Sequence, residues 1–194
     1  MIELRRDFKN TSHYLQKLWG SLSDKELLGE IEKFIENYQT NDTKYGFTEY
    51  FEKDYVLKQF DDLSRVTKKE NLHLIPFGIK DVFNTKFLPT AMGSKTWDGF
   101  LPGNNARIVD NIVFNSGIIF SKTTTAEFAV HHIDNTRTTN PFDSSRITGT
   151  SSTGSAVAVS TDSLPVCLGT QTAGSIIRPS SFNGVYGYKP SFGL

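Results

Sequence analysis

Residues 149–190 decide the fold, and they read GTSSTGSAVAVSTDSLPVCLGTQTAGSIIRPSSFNGVYGYKP. Two loops of small residues, 149–155 and 169–175, flank the short apolar run 164–168, a layout typical of two turns beside one buried strand. Successive backbone N–H groups in such turns form a concavity that holds an anion or a developing oxyanion. Serines in the same loops can supply a nucleophile, so the stretch indicates a functional site.

Two other interpretations of these loops are weaker. Serine- and glycine-rich segments are often solvated turns or linkers, but a linker is not followed at once by an apolar pair and a proline such as Ile176, Ile177 and Pro179. A phosphate-binding loop would end in Gly-Lys-Ser/Thr, and residues 149–155 lack that lysine. We therefore expect two fixed loops that approach a ligand closely.

Three motifs in this order resemble the amidase signature family of serine hydrolases. The first loop of that family is of the type GGSSGGSA, and residues 149–156 read GTSSTGSA. Its second loop is of the type GTDxGGSIRxP, and residues 169–179 read GTQTAGSIIRP. A lysine lies upstream in a GxKD stretch, which residues 78–81 match as GIKD. Segments similar to the family's KTNxxEFA and NPxD extend the resemblance over roughly residues 70–194.

The resemblance implies a Ser-Ser-Lys triad. Ser175 corresponds to the nucleophile, Ser151 to the serine that relays protons, and Lys80 to the base that starts the relay. The expected oxyanion hole consists of backbone N–H groups, those of Thr172, Ala173 and Gly174. On residue statistics alone, a lysine at a strand end such as Lys80 is usually a solvated edge residue. The resemblance favours the alternative, in which Lys80 is desolvated and can act as a base near neutral pH.

Further residues are expected to support these groups. Ser152 is the rival of Ser151, because spacing alone cannot separate adjacent serines. Asp81 either orients Lys80 or caps the next turn, and Arg178 is expected to bond loop carbonyls or a carboxylate such as Asp143. These side chains would fix the geometry of the site without reacting.

The sequence departs from the family pattern at a few loop positions. Thr150 and Thr153 stand where glycine is usual, Gln171 replaces a common acidic residue, and Ala173 replaces a glycine. None of these changes removes a reacting group, but Gln171 alters the hydrogen bonding expected inside the second loop.

The remaining sequence predicts α/β structure. Three helices are expected. The first starts at Ser23, which forms a capping box with Glu26, and ends at the polar residues 39–43. The second covers residues 53–69, and the third runs from Asn105 to Gly117, which is expected to be left-handed. Strands are expected at 72–79, 118–121 and 164–168. The resemblance implies a mixed central β-sheet flanked by helices and incomplete at its C-terminal side. We expect residues 1–70 to be a helical segment that packs on the core and residues 71–194 to be the N-terminal part of that core.

The composition of the chain bears on which binding partners and which cellular compartment are expected. The 21 basic and 21 acidic side chains balance, so no electrostatic bias favours nucleic acid or an anionic membrane. No long apolar run or signal peptide is visible, which favours a cytoplasmic protein. Cys167 is expected to be a buried structural thiol, and the neighbours His131 and His132 point apart, so no metal or other cofactor is expected.

The sequence therefore predicts an amidase that hydrolyses a small linear carboxylic amide through a serine acyl-enzyme. The alternatives are a catalytically silent binding protein that retains the fold, and a subunit of a glutamine-dependent amidotransferase. Because relatives resembling the chain continue beyond the segment KPSFGL, we also expect an open sheet edge that a longer chain, self-association or a partner would cover.

Overall fold

The computed structural model describes Trp19 and residues 21–130 and 136–193. Within this part of the chain, a four-stranded sheet carries helices on both faces, which confirms the predicted α/β class. The main elements in chain order are α1 Asp24–Tyr45, β1 Thr48–Tyr50, α2 Lys53–Ser64, β2 Pro76–Lys80, α3 Arg107–Phe114, β3 Ile118–Thr123, α4 Thr153–Ser160, β4 Val166–Leu168 and α5 Ile177–Phe182. Short 3-10 turns at Lys95–Trp97 and Glu127–Ala129 complete the set.

The sheet is mixed, with the strand order β1-β3-β2-β4. Strand β2 pairs in parallel with both β3 and β4, and β1 is antiparallel to β3. The carboxyl ends of the three parallel strands therefore meet at one edge of the sheet, the usual location of ligand sites in α/β proteins. Lys80 ends β2 at this edge, and the second small-residue loop follows β4 directly.

Apolar side chains fill a core on each face of the sheet. In β3, Ile118 and Phe120 pack into one cluster and Ile119 into the other, because successive strand residues point to opposite faces. Helices α1, α2 and α4 cover the first face, and α3 covers the second. The clusters contain Ile31, Ile35, Tyr38, Phe60 and Val157 on the first face, and Phe77, Ile79, Val109 and Ile112 on the second. The sheet is thus buried between two layers.

Helix α1 begins as predicted and ends later than predicted. The backbone N–H of Ser23 donates to Glu26 Oε2 at 3.0 Å, which is one half of the expected capping box. The helix then continues through the polar residues 39–43 to Tyr45. Thr40 and Thr43 each donate a hydroxyl hydrogen bond to the carbonyl four residues earlier, so their polar side chains are accommodated within the helix.

Other predicted boundaries were wrong by a few residues. Helix α2 ends at Ser64 instead of residue 69. The strand expected from residue 72 begins only at Pro76, because the preceding segment forms turns in which, for example, Ile75 N–H donates to Leu72 O. After α3 the left-handed residue is Ser116, with φ of 64°, rather than Gly117. Gly117 is needed for packing instead, because a Cβ there would lie 2.5 Å from Ile112 Cγ2.

Two further predictions concern Cys167 and the membrane. Cys167 packs partly buried against the first cluster, and burial raises the pKa of its thiol to about 12, so the thiolate is disfavoured. In the described part of the chain, no helix has the length and apolarity that crossing a bilayer requires.

Candidate active site

Lys80 lies at the centre of the candidate site. It ends β2 with its side chain fully buried, and its Nζ donates hydrogen bonds to Ser151 Oγ at 2.6 Å and to Thr170 Oγ1 at 2.7 Å. Burial lowers the pKa of Lys80 to about 7, because the ammonium form loses its hydration. Burial therefore favours the neutral amine of Lys80, the form that can accept a proton.

Ser151 is held between Lys80 and the first turn of α4. Its side chain is fully buried, and the peptide bond from Thr150 to Ser151 is cis. Arg178 Nη2 donates to Thr150 O at 2.9 Å and to Thr150 Oγ1 at 2.5 Å. Of the two partners expected for Arg178, the structure has the loop carbonyl, whereas Asp143 accepts from Arg146 Nε at 3.0 Å.

Helix α4 approaches the end of β3 closely because residue 154 is glycine. A Cβ at Gly154 would lie 2.4 Å from both Phe47 O and Thr124 Oγ1. The N–H of Gly154 instead donates to Thr124 O at 3.1 Å. This contact sets the start of α4, and with it the preceding Ser151, against the carboxyl edge of the sheet.

Ser175 lies in the second loop, just before α5, and is 9% exposed. Its carbonyl accepts a hydrogen bond from Ser152 N–H at 3.2 Å, so the two small-residue loops are joined backbone to backbone. Its hydroxyl makes no hydrogen bond to another described residue, which leaves the oxygen available to a ligand.

The loop around Ser175 is fixed from within by Gln171. Gln171 Oε1 accepts hydrogen bonds from Ile176 N–H and Ile177 N–H, both at 2.9 Å. Gly174 O accepts from Arg178 N–H at 2.8 Å. The amide oxygen of Gln171 thus supplies an acceptor at the position where the resemblance led us to expect an acidic residue.

The backbone N–H groups expected to form the oxyanion hole precede Ser175. Thr172 and Ala173 are exposed and Gly174 is half-buried. Their N–H groups donate no hydrogen bond to any residue in the described segments. They can therefore donate to a bound oxygen atom without breaking an existing bond.

Ser152 and Ser155 have partners other than Lys80. The Ser152 hydroxyl lies 3.3 Å from both the N–H and the carbonyl of Thr170, and Ser155 Oγ donates to Leu168 O at 2.8 Å. The adjacent serines that spacing could not separate are thus distinguished by their contacts, since only Ser151 bonds Lys80.

Asp81 points away from Lys80, although it is the next residue. It forms a fully buried ion pair with Lys122, with Nζ and Oδ1 2.8 Å apart, and its Oδ2 accepts from Ala91 N–H at 3.1 Å. Burial raises the pKa of Asp81 and lowers that of Lys122, and the ion pair opposes both shifts. Lys122 also donates to Thr90 Oγ1 at 2.7 Å, so the pair ties the loop after β2 to β3.

Thr170 is the residue near Lys80 that the sequence reasoning missed. It follows β4 by two positions and contacts Lys80 through its side chain and Ser152 through its backbone. Its place in the second loop, at the carboxyl edge of the sheet, was the signal in the sequence that could have identified it.

The structure describes no group of three or more His, Cys, Asp or Glu side chains that could hold a metal ion, and His131 and His132 lie outside the described residues.

Comparisons with known proteins identify relatives of the chain by sequence and by fold. The family model described as Amidase matches residues 30–194. A glutamyl-tRNA(Gln) amidotransferase subunit of Lactiplantibacillus plantarum is 46% identical over 123 residues, which cover 61% of this chain and 25% of that protein. The corresponding subunit of Clostridium botulinum strain Okra is 34% identical over 195 residues, covering 95% of this chain and 40% of that protein.

The fold also matches solved structures. The native peptide amidase of Stenotrophomonas maltophilia superposes with a TM-score of 0.83 at 28% identity, over 96% of this chain and 41% of that one. The chain thus spans about two fifths of the length of these longer matches.

Proposed function

Because the chain belongs to the amidase family, we propose that the protein hydrolyses carboxylic amides through an acyl-enzyme formed on Ser175. The observation that carries the proposal is the buried contact between Lys80 Nζ and Ser151 Oγ at 2.6 Å, next to a loop that presents a buried serine. A base, a hydroxyl that can relay a proton and a nucleophile are the parts that acyl transfer requires.

In the first half-reaction, Ser175 Oγ attacks the amide carbonyl and gives its proton to Ser151 Oγ. Ser151 at the same time passes its own proton to neutral Lys80, so that the amine becomes an ammonium. The backbone N–H groups of Thr172, Ala173 and Gly174 supply the donors that would stabilise the oxyanion of the tetrahedral intermediate.

Collapse of the intermediate breaks the C–N bond, and the proton held by Lys80 returns through Ser151 to the leaving nitrogen. Water then attacks the acyl-enzyme, gives up a proton along the same relay and releases the carboxylic acid and Ser175. Each half-reaction returns Lys80 to its neutral form, so the relay needs no histidine and no metal ion.

A second candidate function is the amidase component of a glutamine-dependent amidotransferase. It is favoured by the similarity to proteins named as subunits of glutamyl-tRNA(Gln) amidotransferase. In that case glutamine would be the amide, and the released ammonia would be passed to a second active site. The chemistry at Ser175 would be the same, whereas the small-molecule amidase releases its ammonia to solvent.

The test of the proposed function is turnover of simple amides by Ser175→Ala. Loss of the nucleophile should lower kcat by about 10⁴-fold or more, while the far-UV circular dichroism stays that of the wild type. Ser144→Ala is the matched control, because Ser144 is exposed in the loop before the first small-residue motif and should leave turnover unchanged. Equal turnover by Ser175→Ala and Ser144→Ala would contradict the assignment of Ser175.

A further inference from the structure

A cavity of about 320 Å³ lies at the same edge of the sheet as the proposed reaction centre, although Lys80, Ser151 and Ser175 do not line it. It carries charged groups for which the acyl transfer has no use. Glu49, Lys95, Asp98 and Arg137 are its charged lining residues, and Thr124 forms part of its wall. Thr124 O accepts the hydrogen bond from Gly154 N–H at 3.1 Å, near the start of α4. Ala91, another lining residue, donates its N–H to Asp81 Oδ2 at 3.1 Å, directly after Lys80. Two lining residues of the cavity are thus bonded to segments that carry Lys80 and Ser151.

Glu49 is the half-buried residue among the charged residues that line this cavity. It lies half-buried in β1, and its carboxylate makes no hydrogen bond or ion pair with another described residue. Burial raises the pKa of Glu49, and the negative charge of Asp81 adds to that effect, whereas Arg137 opposes it. A cation bound at Glu49 would stabilise the carboxylate in a place where solvent does so incompletely.

The other charged residues that line the cavity are all exposed, unlike Glu49. Arg137 is exposed and its Nη2 donates to Thr48 O, and Asp98 accepts a hydrogen bond from Tyr50 Oη at 2.5 Å. Tyr50 Oη in turn accepts from Gly99 N–H at 3.1 Å, so this network holds the loop that forms one side of the cavity. Lys95 lies on the exposed rim, where water screens its charge.

Gly93, which lines the cavity, belongs to a segment of left-handed backbone that is joined to a second such segment outside the lining. Met92 and Gly93 on one loop have φ of 57° and 70°, and Phe128 and Ala129 on the facing loop have φ of 51° and 59°. The two loops are joined by a hydrogen bond from Phe128 N–H to Met92 O at 2.8 Å. Left-handed conformations at non-glycine residues are costly and concentrate where a ligand site demands a fixed shape.

From these observations we infer that the cavity is a specificity subsite in which Glu49 binds a positively charged ammonium group of the amide substrate. This inference rests on the proposed amide hydrolysis and names the substrate class, which is an amide that carries an amino group away from the scissile bond. The rival is a carboxylate held by Lys95 and Arg137. It is weaker because both side chains are exposed and Arg137 is already bound to Thr48 O.

The experiment compares kcat/KM for three matched series of amides at pH 7.5: ω-amino amides from glycinamide to 6-aminohexanamide, alkyl amides of the same lengths, and ω-carboxy amides of the same lengths. At the best length, the amino amide should exceed the alkyl amide by about tenfold, the selectivity expected from one charge-assisted hydrogen bond. Glu49→Gln should lower that ratio by about tenfold. Glu52→Gln, which removes the same charge from an exposed position outside the cavity, should leave the ratio unchanged.

The outcomes separate this inference from the function on which it rests. Three results overturn the subsite and leave the proposed hydrolysis intact. The first is hydrolysis of alkyl amides with no preference for an ammonium group at any length, and the second is a preference that survives Glu49→Gln. The third is a preference for ω-carboxy amides. If no amide is turned over, the proposed hydrolysis fails, and calorimetric titration of the ω-amino amides into Ser175→Ala decides the subsite. Binding that is lost in the Ser175→Ala, Glu49→Gln double variant supports it, and equal or absent binding in both proteins overturns it.

Discussion

At the scale of single residues, the proposed hydrolysis depends on the charge state of one lysine. Lys80 is surrounded by hydroxyl groups and the sheet, so burial destabilises its ammonium form. The hydroxyl oxygens of Ser151 and Thr170 can accept from either protonation state, but they do not replace the hydration that the ammonium loses. A neutral amine whose N–H donates to Thr170 can direct its lone pair to Ser151, which is the orientation that a base requires.

The pH dependence of acylation tests this charge state. Because the pKa of Lys80 is lowered to about 7, the base is protonated and inactive well below pH 7 and neutral above it. The single-turnover acylation rate should therefore rise about tenfold per pH unit below pH 7 and reach a plateau above it. Lys80→Met should be slower by orders of magnitude and should lack that rise.

Stopped-flow measurements of acylation between pH 5.5 and 9 provide the test. Lys33→Met is the matched control, since Lys33 is an exposed lysine of α1 that pairs with Glu30, and it should keep the wild-type profile. If the acylation rate of Lys80→Met rose with pH at the same midpoint as that of the wild type, the titrating group would be another residue.

At the scale of elements, the loop after β2 depends on the buried pair of Asp81 and Lys122. Lys122 also donates to the carbonyls of Phe83 and Pro89, each at 3.0 Å, so one ammonium group joins β3 to several points of that loop. Both charged groups are fully buried, and removal of one leaves the other without compensation. The pair therefore stabilises the loop that begins directly after Lys80.

Unfolding of single and double variants tests the role of this pair. Lys122→Met leaves the Asp81 carboxylate buried and unpaired, so the free energy of unfolding should fall by about 3–5 kcal/mol. The double variant Asp81→Asn, Lys122→Met should lose less than Lys122→Met alone, because no charge then remains buried. Urea denaturation followed by tryptophan fluorescence measures both. A double variant less stable than the single variant would show that the charge on Asp81 does not need Lys122.

The sequence predicted elements better than their ends. The capping-box signal of Ser23 and Glu26 located the start of α1, but the polar residues 39–43 gave no sign that threonine hydroxyls would bond back to the helix. The left-handed turn falls on Ser116 instead of Gly117, whose lack of a Cβ is required by the close approach of Ile112 in the preceding helix and of Phe77 in β2. The contact with Phe77 is a tertiary one, which local propensity cannot contain. The division of the chain near residue 70 stays a prediction.

At the scale of the whole molecule, the sheet topology is what assembles the site. Lys80, Ser151 and the second loop are far apart in sequence. The parallel pairing of β2 with β3 and β4 brings Lys80 and the second loop to one edge, and the contact of Gly154 with Thr124 at the end of β3 brings Ser151 there. Motif resemblance could assign roles to Lys80, Ser151 and Ser175, but not the partners of Asp81 or Thr170. Those contacts arise from the alternation of side chains across the sheet, which fixes which neighbours face Lys80 and which face Lys122.

The most direct test of the central claim is to locate the residue that a fluorophosphonate probe modifies. Such a probe reacts with serine hydroxyls that are activated by a base and faced by oxyanion donors. The wild type should be labelled on Ser175, as read by mass spectrometry of its peptides, and labelling should disappear in Ser175→Ala and become much slower in Lys80→Met. Labelling that persists in Ser175→Ala, or that maps to Ser151 or Ser152 in the wild type, would contradict the proposed nucleophile.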